Sequence, residues 1–159
     1  MSIISNYSQE LLTLAFAATP VFELRGALPV ALTVYGMSIP KAYILSVVGN
    51  MLPILPILLL LEPISNFLRK HFKVFERFFT WLFARTRTKF VASHEKYGAL
   101  ALIIFIAIPL PATGAWTGAI AAWLFGIKPL RAFLYALAGV AIAGVIVTIL
   151  TLGVSGVIK

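Results

Sequence analysis

The chain has 159 residues, of which 61% are hydrophobic and 11% charged, with a formal net charge of +8 and a mean hydropathy of +1.02. Soluble domains are about a quarter charged, so this composition cannot cover a water-facing surface and indicates one integral membrane domain. Cysteine and aspartate are absent and the acids are Glu10, Glu23, Glu62, Glu76 and Glu95, which excludes disulfides, thiolate chemistry, cysteine metal sites and most carboxylate-pair catalysis.

In chain order, the first apolar block runs from Leu11 to Gly36 and is broken by Pro20, Glu23, Arg25, Gly26 and Pro29. Its first basic residue is Arg25, so the positive start of a cleaved signal peptide is not expected. Each arm beside the break has about 9–13 residues, or about 20 Å of helix at 1.5 Å per residue. That falls short of a hydrocarbon core of about 30 Å, and predicts a re-entrant hairpin, with a kinked spanning helix as the alternative. Glu23 and Arg25 would each cost about 2.5–3.5 kcal/mol at the centre of a spanning helix. Charges and broken backbone are tolerated at that depth only where protein or water satisfies them. The pair therefore reads either as a site lining a polar cavity or as an internal ion pair that locks the hairpin. If the two pair, the backbone between them must leave the helix, which Gly26 and Pro29 favour.

The second block, Ala42 to Leu61, is long enough to span. Asn50 lies near its middle, where Pro53 and Pro56 free the carbonyls of Gly49 and Leu52. It is a candidate ion or polar site facing Glu23, with a packing hydrogen bond as the plainer use. The linker "FLRKHFKVFERFFTWLFARTRTK" follows, placing Leu68, Phe72, Phe75, Phe79 and Leu82 on one helical stripe opposite Arg69, Lys73, Arg77 and Thr80. A basic, phenylalanine-rich helix suits the headgroup plane rather than nucleic acid. His71 and His94 lack metal-ligand spacing, and no metal or other cofactor is expected.

The third block, Gly98 to Gly126, is broken by Pro109, Pro111 and Gly114, and reads as a second hairpin. Thr113 and Thr117 are spaced one turn apart, with hydroxyls suited to phosphate or an ion. Gly114 and Gly118 have the GxxxG spacing that lets another helix approach closely. The last block, Leu130 to Ile158, spans. Shifting the chain by 90 positions aligns Gly36 with Gly126, Ala42 with Ala132 and Gly49 with Gly139. Tyr35, Lys41 and Tyr43 fall on Phe125, Arg131 and Phe133 at the same shift, which points to an internal repeat. The expected units are 1–62 as first repeat, 63–97 as amphipathic linker and 98–159 as second repeat. If both hairpins return to the face they enter, the two halves are inverted, a plan common in secondary transporters. Ten of the thirteen basic residues then lie on the linker side, which the positive-inside rule makes cytoplasmic.

The segments "ELRGALPVAL" at 23–32 and "PLPATGAWTGAIAAWLFG" at 109–126 resemble the bacterial and archaeal small multi-drug export family. That family is in turn similar to the wider DedA-like (SNARE-associated, or VTT) superfamily. The resemblance runs from about Leu11 to Ile158. It implies an all-helical membrane fold of two re-entrant hairpins under pseudo-two-fold symmetry. It further implies transport of lipid carriers such as polyprenyl phosphates, or lipid scrambling, with proton coupling in some members. The second hairpin departs from the DedA pattern in having Thr113, Trp116 and Thr117 but neither carboxylate nor arginine.

The reading of the sequence is thus a secondary exporter or flippase of the inner (plasma) membrane, and not an enzyme. Arg25, Thr113, Trp116 and Thr117 are expected to bind an anionic lipid or a small molecule, and Glu23 to carry the proton. The expected partners are membrane lipids and that substrate, with no nucleic acid and with a homodimer left open. The rival reading is a non-transporting membrane scaffold in which Glu23 and Arg25 form a structural ion pair.

Overall fold

The computed structural model describes residues 2–78, 80–81, 94–110 and 113–157, and is all-helical over them. Seven helices follow in order: α1 (Ser2–Ala18), α2 (Glu23–Thr33), α3 (Ile39–Met51), α4 (Ile54–His71), α5 (His94–Ala107), α6 (Ala115–Leu124) and α7 (Pro129–Val157). A further helical stretch covers 73–78 and 80–81. By length and composition, two continuous segments suffice to cross a membrane: Ile39–His71, which is α3 and α4 in series, and Pro129–Val154 within α7.

Prolines and glycines set most boundaries. Pro40 opens α3 and Pro129 opens α7, where a missing N–H has no intrahelical partner to lose. Pro53 stands in the turn between α3 and α4. Gly36 closes α2 with φ 62° and Gly126 closes α6 with φ 71°, the left-handed conformation that glycine adopts without a Cβ penalty. After each, an N–H turns back to the helix just ended: Met37 to the Ala31 carbonyl at 3.0 Å, Ile127 to the Ala122 carbonyl at 2.9 Å.

α1 packs on α2 and α3, while α5 packs on α6 and α7. Gly49 of α3 lies against Leu14 and Ala17 of α1, and Gly139 of α7 lies against Ile103 and Ile106 of α5. The two groups meet where α2 and α3 contact α7, and where α4 contacts α6. At their centre is a core rich in small residues, with Ala27, Ala31, Ala42, Ala115, Ala119 and Ala132 buried beside Leu24, Leu28 and Ile54. Close approach through small residues is how helices gain contact in lipid. Many other large apolar side chains face outward, as with Val21 at 81% and Leu130 at 71% exposed.

Three features differ from the sequence reading. α1 begins at Ser2, so the first arm has 17 residues, longer than hydropathy from Leu11 onward implies. α4 continues to His71 through Pro63, carrying the helix nine residues into the expected linker. The single amphipathic stripe is interrupted at Phe72, which is extended at φ −135° and ψ 111°, so Leu68 and Phe75 lie on separate helical stretches. The side chains of Phe79 and Leu82 lie outside the described residues.

Candidate functional site

The turn from Thr19 to Phe22 joins α1 to α2. The Thr19 hydroxyl donates to the Phe16 carbonyl at 2.8 Å, and the Glu23 N–H donates to the Thr19 carbonyl at 3.1 Å. Glu23 then has φ 48°, the one non-glycine residue in the left-handed region among those described. For a residue with a Cβ this conformation is strained by about 1–2 kcal/mol, and it aims the carboxylate at the other helix pair. The departure from the helix therefore falls at Glu23 itself. Arg25, Gly26 and Pro29 belong to α2, so the backbone from Arg25 onward is helical.

Glu23 is buried at 7% exposure, and its Oε1 accepts the backbone N–H of Trp116 at 3.2 Å. That amide lies in the first turn of α6, where unpaired N–H groups and the helix dipole favour an anion. Gly114 makes room: at φ 148° it is in a region restricted to glycine, and a Cβ there would overlap the Glu23 carboxylate.

Arg25 serves the opposite need. α5 ends at Ala107, so the carbonyls of its last turn and of the segment that follows lie beyond the helix's own ladder of N–H donors. The Arg25 guanidinium fills the gap. Its Nη1 donates to the carbonyls of Leu110 and Thr113, both at 2.6 Å. Its Nη2 donates to those of Ile106 at 3.2 Å and Ile108 at 3.1 Å. The planar fork of arginine suits four acceptors spread over one break. Among the described residues Glu23 and Arg25 form no ion pair with each other, whereas Glu10 and Lys41 do, at 2.5 Å. Each charge bonds across the contact between α2 and the α5–α6 break.

Between these groups lies a cavity of about 470 Å³, lined by Glu23, Arg25, Thr113, Trp116 and Thr117 with apolar walls that include Phe22 and Ile120. Thr113 and Thr117 are not aligned on one helix, because Thr113 precedes the start of α6. The Thr113 hydroxyl lies 2.9 Å from the Ile108 carbonyl and 2.8 Å from that of Leu110, and the Thr117 hydroxyl donates to Gly114 at 3.3 Å. The buried Trp116 Nε1 has no partner among the described residues. Gly118 packs on Ile106 and Leu102 of its own helix pair, so of the two glycines only Gly114 accommodates the first pair. Asn50 does not line the cavity; it is buried in α3 at 2% exposure.

Two contacts were not foreseen from the sequence. Lys41 of α3 pairs with Glu10 of α1, and the Trp123 indole N–H donates to Glu62 at 2.7 Å, joining α6 to α4. Both pair a polar atom with an isolated acid outside the broken segments. No group of three His, Asp or Glu side chains that could hold a metal exists among the described residues.

Long apolar helices, a small-residue core and two charges satisfied at a contact between broken segments define an all-helical membrane protein. Residues 23–146 match the family described as "Putative small multi-drug export protein", and the chain belongs to that family. No curated protein and no solved structure matches it.

Proposed function

We propose that this chain is a secondary exporter or flippase, not an enzyme, and that the cavity beside Glu23 and Arg25 is its transport site. The observation that carries this reading is the crossed bonding of the two charges onto the α5–α6 break at the cavity wall. Ionised groups at such depth are expensive, and a cavity bordered by both signs of charge gives them a use. Arg25 leaves its carbonyls to take an anionic group, for which its charge and planar fork are suited. Glu23 leaves the α6 amide and takes a proton. The cargo in this reading is an anionic lipid carrier such as a polyprenyl phosphate, or a small molecule.

The proposal includes the inverted arrangement and the DedA-like kinship. α2 has 11 residues and α6 has 10, about 15 Å each at 1.5 Å per residue, which supports two re-entrant hairpins over two further spans. The like conformations of Gly36 and Gly126, and the like packing of Gly49 and Gly139, support a repeat. The membrane is the inner (plasma) membrane, with the basic linker in the cytoplasm. Lipids are the surrounding partner, and a homodimer is compatible with the many outward apolar side chains.

The scaffold reading survives in altered form. Four satisfied carbonyls make Arg25 a strong tie between the helix pairs whether or not anything is carried. Liposomes containing the purified chain separate the two readings. The transporter moves a labelled polyprenyl phosphate between leaflets faster than protein-free liposomes do, and a rate equal to that control leaves the scaffold.

A further inference from the structure

The helical segment Ile39–His71 has 33 residues, about 50 Å at 1.5 Å per residue, against a hydrocarbon core of about 30 Å. A segment of that length that crosses the membrane puts its last turn beyond the hydrocarbon, among the headgroups. That turn carries Arg69, Lys70 and His71. The helix then breaks: Phe72 is extended, and a new helical stretch starts at residue 73.

Beside the break lies a cavity of about 390 Å³, lined by Asn66, Arg69 and Lys70 of α4 and by Glu76 of the following stretch. Two cations and a neutral amide are set there against one carboxylate. Lys73 and Arg77 stand close to that acid in the chain, so the segment 69–77 has four basic side chains to one acid. A carboxylate in the wall disfavours an anion, and the surplus of basic charge outweighs it. Basic clusters beside the end of a spanning helix attract anionic headgroups.

The rings decide the source of the anion. Phe67 on α4 and Phe72, Phe75, Phe78 and Trp81 beyond it are exposed. Such rings settle at the boundary between headgroups and acyl chains, which puts the cavity at the depth of lipid phosphates. A soluble anion meets the same cations but has no use for the rings, whereas a phospholipid uses both.

We infer that the break after α4 is a binding site for the phosphate of an anionic phospholipid, held by Arg69 and Lys70 with the Asn66 amide beside them. The site is separate from the cavity at Glu23 and Arg25 and does not depend on what that cavity carries. It turns the general attraction of a basic segment into a fixed attachment at the end of α4.

Binding of a fluorescent phosphatidylglycerol to the purified full chain in detergent, followed by anisotropy, tests the site. Unlabelled phosphatidylglycerol should displace the probe, and phosphatidylcholine, which has a phosphate but no net charge, should not. Arg69→Gln with Lys70→Gln should weaken phosphatidylglycerol about tenfold, and Glu76→Gln should tighten it by removing the like charge. Lys128→Gln with Arg131→Gln takes the same charge from elsewhere on the proposed cytoplasmic face and should leave binding unchanged. The same order should hold in the Arg25→Gln chain, where the proposed cargo site no longer contributes. Equal displacement by the two lipids, or equal loss in the two double variants, overturns the inference. Displacement by inorganic phosphate as readily as by phosphatidylglycerol overturns it too, since the site would then serve a free anion.

Discussion

Glu23 and Arg25 are two residues apart at the start of α2, yet they bond to opposite kinds of backbone group at the same break. The carboxylate accepts the N–H of Trp116, while the guanidinium donates to the carbonyls of Ile106, Ile108, Leu110 and Thr113. A break in a helix leaves orphan acceptors on one side and orphan donors on the other. An acid and a base on one turn of a neighbouring helix meet both needs.

Removal of the guanidinium should therefore loosen the contact between the helix pairs. Arg25→Gln is expected to destabilise the chain by about 2–3 kcal/mol, the scale of hydrogen bonds to a charged group. Arg25→Lys should recover only part of this, since an ammonium lacks the planar fork. Melting of the detergent-solubilised variants measures the order; equal stability of all three chains would mean the four bonds contribute nothing.

Gly114 gives a test through shape. Gly114→Ala places a methyl group on the Glu23 carboxylate and strains the backbone, whereas Gly36→Ala meets no atom within 4 Å and carries only the left-handed penalty of about 1–2 kcal/mol. The Gly114 variant should lose clearly more stability than the Gly36 variant. Adding Glu23→Ala should return part of that difference; no rescue in the double variant would show that the carboxylate does not occupy the space.

The proposed topology is open to labelling, because the chain contains no native cysteine. Single cysteines replacing Ser38 and Ser155 should react with an impermeant thiol reagent from outside the cell, and one replacing Asn66 only from inside. Labelling of Ser38 and Asn66 positions from the same side would rule out a crossing by α3 and α4.

The linker should hold the interface through its rings. Phe72, Phe75 and Phe78 are each 40% or more exposed, beside Lys73 and Arg77. Their joint change to serine should raise proteolysis of this segment in vesicles. Undiminished protection would place the rings against protein instead.

The helices were legible in the sequence because apolar runs and their proline and glycine stops act locally. Gly36 and Gly126 end the apolar blocks in the sequence and close α2 and α6 in the structure. The continuation of α4 through Pro63 was not legible, since a helix held by neighbours tolerates a proline that local preference would make a stop. Phe72 fits the apolar stripe by spacing, and only its backbone dihedrals break that stripe. Within the site, charge and polarity singled out Glu23, Arg25, Thr113, Trp116 and Thr117, which line one cavity. Their partners were beyond reach, because the acceptors of Arg25 lie 81–88 positions along the chain and are backbone carbonyls common to every residue. Depth in the helix suggests Asn50 faces Glu23, but it is buried outside the cavity lining, on the phase of Tyr43 seven residues before it, which packs on Gly144 of α7.

The central claim is that Arg25 takes the anionic cargo and Glu23 couples its movement to protons. It is tested most directly by flux of a labelled polyprenyl phosphate into liposomes, with and without a proton gradient, for the wild type, Glu23→Gln and Arg25→Gln. The account predicts gradient-dependent flux for the wild type and gradient-independent flux for Glu23→Gln. It predicts none for Arg25→Gln, even where that protein inserts and purifies. Flux that responds to the gradient equally in all three proteins would contradict it.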